Sequence, residues 1–163
     1  GITAERKKVK NAKKLIGSIV VTQLAGILGA VFTTPSISTW YATVNKPVFN
    51  PPNWIFGPVW TLLYLMMGVA LYLVIIEKNS ANQKVALKYF WIQLGLNTLW
   101  SIIFFGMQLP ALALLEIVIL WYMILMTIRK FLPISKTAGY LLVPYILWVS
   151  FASVLNLAIA ILN

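Results

Sequence analysis

The chain has 163 residues, of which 61% are hydrophobic and only 10% charged, and it carries a net charge of +10. That balance excludes an ordinary soluble domain, and the length suits one domain. There is no cysteine or histidine, and the only acids are Glu5, Glu77 and Glu116, so zinc, iron–sulfur and imidazole sites and Ser-His-Asp triads are excluded.

Residues 1–14 are a basic N-terminal arm holding Arg6, Lys7, Lys8, Lys10, Lys13 and Lys14. The first apolar run, about 15–34, is too long for a typical signal-peptide core. Within it Ala25, Gly26, Gly29 and Ala30 make two small-xxx-small pairs. Their spacing permits close helix contact, either within the bundle or across a dimer. Next comes "WYATVNKPVFNPPNWIFGPVW" at 40–60, with four prolines and three tryptophans. Residues 35–53 are the first loop. A second span at about 54–76 ends at the polar "EKNSANQK". The third, about 87–107, is joined by "GMQLP" to the fourth, about 111–128, with Pro110 suited to a first helical turn. "RKFLPISK" leads to the fifth, about 137–162. Each run can cross a hydrocarbon core of about 30 Å. None alternates as a barrel strand would. The expected fold is an all-α integral membrane protein, a bundle of five transmembrane helices.

Twelve of the 13 basic residues fall in segments before or between alternate spans. Only Lys46 falls on the other side. This positive-inside pattern predicts a prokaryotic-type cytoplasmic membrane, with the N-terminus inside and the first loop and C-terminus outside. It sets topology rather than forming a nucleic-acid surface, so no nucleic-acid partner is expected. Five spans also argue against a pair of inverted transporter repeats.

Polar residues inside spans recur at helical spacing. Gln93, Asn97 and Ser101 form one stripe, with Trp100 beside it. Trp60, Tyr64 and Gly68 form another, and Trp148, Ala152 and Asn156 a third, with Pro144 one turn above. Singly, such residues serve helix contacts or interface belts. Together they suit a flat, mostly apolar pocket with a few orienting amides. Glu116 lies about one and a half turns into the fourth span. It is read as a neutral or hydrogen-bonded carboxyl near the interface, because no second acid or histidine exists to form a relay.

"WYATVNKPVFNPPNWIFGPVWTLLYLMMGVALYLV" resembles the signature of the TspO/MBR family, the tryptophan-rich sensory and translocator proteins that include the peripheral benzodiazepine receptor. "WIQLGLNTLWSIIFFG" and "YLLVPYILWVSFASVLN" agree in order and spacing, and the resemblance covers about residues 15–163. It implies a five-helix bundle, often dimeric, that binds porphyrins and benzodiazepine-type ligands under a lid formed by the first loop. By position it implies a pocket including Tyr41, Pro51, Trp60, Asn97, Trp100, Trp148 and Ala152. Trp60 and Trp148 match the tryptophans linked in bacterial members to light-dependent porphyrin breakdown. The cholesterol pattern of animal members is missing from "SVLNLAIAILN", which speaks against a sterol partner.

A porphyrin would stack on tryptophan faces, with Asn97 orienting its edge. Lys46 could meet a propionate at the rim, or simply anchor at the interface. Without histidine or cysteine, haem iron lacks strong axial ligands, so a metal-free tetrapyrrole fits better. No metal or cofactor is required. Three classes follow. The favoured one is a tetrapyrrole-binding sensor, scavenger or carrier. The second is a photo-oxidative enzyme, with Trp60 and Trp148 as its redox residues and Tyr64 beside them. The third is a transporter or lipid-binding module.

Overall fold

Residues 2–78 and 80–163 are described by a computed structural model, without the side chains of residues 2, 3, 5 and 7–9. Lys7 and Lys8 of the basic arm therefore lie outside the described side chains. Helix α1 runs from Ile2 to Ile37. The basic segment is thus helical and continuous with the first apolar run. Alanine, glutamate, arginine and lysine are good helix formers, and nothing between them and the apolar run breaks the helix. At 1.5 Å per residue α1 is about 54 Å long, well beyond a hydrocarbon core.

The first loop contains a short helix α2, Trp40–Thr43, and a 3₁₀ turn, Asn53–Ile55. Helix α3 is Phe56–Ile75. Its Pro58 sits in the first turn, where no intrahelical donor is lost. Gln83 closes the other end, its side-chain amide donating to the carbonyls of Val74 and Ile75 at 3.0 and 2.9 Å. Helix α4 is Gln83–Ser101 and widens into a π-helical segment, Ile102–Gly106. The Met107 N–H reaches back to the Ile102 carbonyl at 2.7 Å, the wider ring that defines such a segment. Gln108 then turns the chain with a positive φ of 58°. Helix α5, Pro110–Phe131, begins on its proline.

The last long apolar run is two helices, α6 (Lys136–Leu141) and α7 (Val143–Leu162). Pro144 explains the break, since it has no N–H for the preceding turn. Ser135 caps α6 by accepting from the Ala138 N–H at 3.2 Å. In cross-section α1 touches α3 and α4, α5 touches α4 and α7, and α6 leans on α3, which closes the ring.

Among the described residues, four helices are long and apolar enough to cross a membrane: Lys10–Ile37, Asn53–Ile75, Pro110–Phe131 and Lys136–Leu162. The expected third span, on α4, is not among them. Lys84, Lys88, Gln93, Asn97 and Thr98 dilute its apolar content. No strand occurs among the described residues.

The small residues of α1 work inside the bundle. A Cβ on Gly26 would sit 2.6 Å from the Tyr64 ring, and one on Gly29 would touch Ser101. The Ala25 carbonyl accepts from Thr98 Oγ1 at 3.1 Å. Of the two contacts left open by the spacing, the one within the bundle is present.

The first loop is clasped to the end of α7. The Asn45 N–H donates to Asn163 Oδ1 at 3.0 Å, and Asn163 Nδ2 donates to the Asn45 carbonyl at 2.9 Å. Each bond is worth about 1 kcal/mol, so Asn163→Ala should raise loop opening on the order of tenfold. Chymotrypsin cleavage at Phe49 tracks that open population and should accelerate accordingly, with the melting temperature nearly unchanged.

Candidate functional site

A cavity of about 240 Å³ lies beneath the first loop. Its floor and walls come from α1, α3, α4 with its π segment, and α7, while Tyr41 and Asn53 close it from the loop. Two aromatic groups line it. One spans α3 and α7: Trp60 and Trp148 stand perpendicular with centroids 6.5 Å apart. Phe56 edges onto Trp148 at 6.2 Å and Tyr64 lies 5.7 Å from Trp60. The other joins α4 to the loop: Trp100 stacks on Phe104 at 5.0 Å, and Tyr41 packs on Phe105 at 5.5 Å. Gly26, Gly29 and Ala30 of α1 leave room between them. No charged side chain is among the lining residues.

The cavity brings together Tyr41, Trp60, Tyr64, Trp100, Trp148 and Ala152 of the expected site. It does not include Pro51 or Asn97. Pro51 sits in the loop just ahead of the 3₁₀ turn, outside the lining. Asn97 lies behind Tyr64, with both its amide oxygen and its amide nitrogen hydrogen-bonded. Tyr64 donates its hydroxyl to Asn97 Oδ1, Asn97 Nδ2 donates to the Tyr145 hydroxyl at 2.7 Å, and Tyr145 donates to Gln93 Oε1 at 2.7 Å. An amide inside hydrocarbon must find partners, and these hydroxyls supply them. Asn97 therefore positions Tyr64 instead of facing a ligand.

Lys46, which the sequence leaves open between a propionate partner at the rim and an interface anchor, is turned back onto its own loop. Its ammonium donates to the carbonyls of Tyr41 and Val44 at 2.6 and 3.2 Å and stands 4.9 Å from the Tyr41 ring centroid. It staples the loop, because a cation near apolar surroundings gains more from fixed carbonyls than from an unfilled rim. Tyr41 is held from its other end as well, donating to Asn50 Oδ1 at 2.7 Å. Burial pushes its phenol up to about 12, against a smaller opposing pull from Asn50, so it stays a donor at neutral pH.

The sequence reading did not single out Phe104 and Phe105, whose orientation depends on the π segment. Spacing alone marks the small residues of α1 only as packing positions, whereas Gly26, Gly29 and Ala30 also line the cavity. Asn156 carries Trp100, accepting from its indole N–H at 3.0 Å and donating to the Pro110 carbonyl at 2.8 Å. Glu116 is buried on α5, away from the cavity, and neither of its oxygens has a hydrogen-bond partner among the described residues. Of the two states open to it, neutral or hydrogen-bonded, the hydrogen-bonded one is not present there. The Trp148 indole N–H is also buried and unpartnered, and it belongs to a cavity-lining residue.

A bundle of long apolar helices around a tryptophan-walled cavity, closed by a clasped proline-rich loop, defines a helical membrane protein built around an internal cavity. The TspO/MBR family model matches residues 18–162. The chain belongs to that family, and is an integral membrane protein. It is 47% identical to the tryptophan-rich protein TspO of Archaeoglobus fulgidus, over 94% of this chain and 99% of the relative. It is 50% identical to the tryptophan-rich protein TspO of Chlorobaculum tepidum, over 85% and 88%. The translocator protein of Bos taurus is 34% identical over 86% and 85%.

Proposed function

We propose that the protein binds a flat apolar tetrapyrrole, a metal-free porphyrin, in the cavity beneath the first loop, as a sensor, scavenger or carrier. The observation that carries this reading is a cavity whose opposite sides are aromatic, with a buried and unpartnered indole N–H on Trp148, one of the residues that line it. A buried donor without an acceptor is costly, and a ligand nitrogen or carboxylate would relieve that cost. The aromatic faces would hold the macrocycle by stacking and burial. With Lys46 bound to loop carbonyls, propionates would reach past the cavity rather than pair with it.

A fifth span on α4 belongs to the same reading. Its Gln93, Asn97 and Thr98 are buried against neighbouring helices, whereas Trp91, Ile92 and Leu99 face outward. The polar content that weakens α4 as a span is thus turned away from lipid. The charge asymmetry supports the N-terminus inside and the first loop outside, in a prokaryotic-type cytoplasmic membrane.

Titrating purified protein with protoporphyrin in the dark should quench tryptophan fluorescence saturably. Trp148→Phe keeps the ring but removes the donor, and should weaken binding about tenfold, the worth of one buried hydrogen bond. Unsaturable quenching, identical in both proteins, would sink the proposal. The perpendicular Trp60–Trp148 pair favours a second reading, photo-oxidative porphyrin breakdown. That reading requires a new porphyrin product band under light, abolished by Trp60→Phe.

A further inference from the structure

The first loop carries a feature that neither the cavity nor the clasp uses. Residues 47–50 form a tight turn, closed by the Asn50 N–H donating to the Pro47 carbonyl at 3.1 Å. Turn tips in water are dominated by glycine, asparagine, aspartate and serine. Here the tip is Val48 and Phe49, exposed by 105% and 48%. A few residues on, Trp54 is 73% exposed at the 3₁₀ turn. Three large apolar side chains thus project from one short segment.

Charge is withheld from the same segment. Between residues 35 and 56 the only charged residue is Lys46. Its ammonium is drawn back onto the carbonyls of Tyr41 and Val44. A loop built for water would turn that ammonium outward.

The height of the loop is fixed too. Asn45 is bonded to Leu162 and Asn163 at the end of α7, and Phe49 packs on Phe151 of α7 at 6.3 Å. The last turn of α7 exposes Ile161 and Leu162. The loop thus starts at the end of α7 and its turn tip lies lower, beside Phe151, where it continues the apolar side of a helix long enough to span the membrane. Trp54 stands at the start of the Asn53–Ile75 span, where hydrocarbon gives way to headgroups, and tryptophan is favoured there because its ring is apolar and its N–H can meet a headgroup. Exposed apolar patches on otherwise ordered segments mark such contacts.

We propose that Val48, Phe49 and Trp54 insert into the interfacial layer of the bilayer, so that the first loop is a lipid-anchored cover. Lipid is the occupant, and the contact does not depend on what the cavity binds.

The absence of native cysteine makes the test direct. Val48→Cys is spin-labelled and the full chain reconstituted in phosphatidylcholine–phosphatidylglycerol vesicles. Leu147→Cys, on the exposed face of α7, is the lipid reference, and Ala81→Cys, in the α3–α4 connection, the aqueous one. The expected result is that oxygen relaxes the label at position 48 several-fold more strongly than a water-soluble nickel chelate does, as at position 147. Chelate-dominated relaxation, as at position 81, overturns the proposal in favour of an aqueous loop. Weak relaxation by both overturns it in favour of a protein-covered one. A second measurement needs no label: brominated lipids should quench wild-type fluorescence more than that of Trp54→Phe. Equal fractional quenching would count against insertion.

Discussion

Gly68→Leu should destabilise the bundle by about 2–4 kcal/mol, the largest loss expected of any single glycine replacement here. Gly68 lies on α3 where α1 crosses it. A Cβ there would sit 2.7 Å from the Ile19 Cα and 2.8 Å from Thr22 Oγ1. The first of these is backbone, which cannot rotate aside. The helices must separate instead, and with them goes the hydrogen bond from Thr22 Oγ1 to the Tyr64 carbonyl, 2.8 Å long and buried. Overpacking costs about 1–3 kcal/mol, and the lost bond adds about 1. Gly95 supplies the opposite case on α4, because a Cβ there meets nothing within 4 Å. Gly95→Ala should be neutral or stabilising by up to about 1 kcal/mol, since alanine is the better helix former. Unfolding in mixed detergent micelles would read both. Equal effects at the two positions would mean that helix propensity, not the α1–α3 approach, sets the cost.

That contrast also marks how far the sequence could be read. Hydropathy located the long apolar runs, because length and composition suffice for that. Spacing by four put Trp60 and Tyr64 on one face of α3, and Trp148 and Ala152 on one face of α7, since helical geometry alone fixes which residues share a stripe. Tyr41 came from the resemblance, not from spacing. What spacing cannot give is depth or partner. Asn97 and Ser101 share a stripe, yet Ser101 lines the cavity and Asn97 lies a turn away, behind Tyr64. Gly26 and Gly68 look alike in sequence, and only the crossing of α1 and α3 tells which atoms they admit. Phe104 and Phe105 were missed because a π segment rotates them off the α-helical register, and no residue pattern announces it. Lys46 stays open between two roles in the sequence for a different reason. A long side chain can reach a rim or curl back, and only the surrounding carbonyls decide.

The depth of Asn97 leads to the other large expected effect. Asn97→Leu should destabilise the protein by about 2–3 kcal/mol. The substitution leaves the Tyr64 hydroxyl without an acceptor and the Tyr145 hydroxyl without its donor, both inside the core. Water-based figures of about 1–3 kcal/mol per orphaned group would predict as much as about 6. A membrane lowers that, because helices separated in lipid find other partners for the same groups, and single interhelical bonds there average about 0.6 kcal/mol. The expected loss lies between these limits because two buried groups are orphaned at once. Tyr145→Phe cuts the same chain from the other side, depriving Gln93 of its donor as well. If the three helices are tied by one network, the double variant should cost less than the sum of the singles by about 1 kcal/mol. Strict additivity would instead mean that Asn97 and Tyr145 act separately. Tyr64 gives the network its functional reach. Once released from Asn97, its ring can leave the cavity wall, so, on the proposed function, porphyrin affinity should fall in Asn97→Leu although residue 97 does not line the cavity. Unchanged affinity together with the full loss of stability would confine Asn97 to holding the helices together.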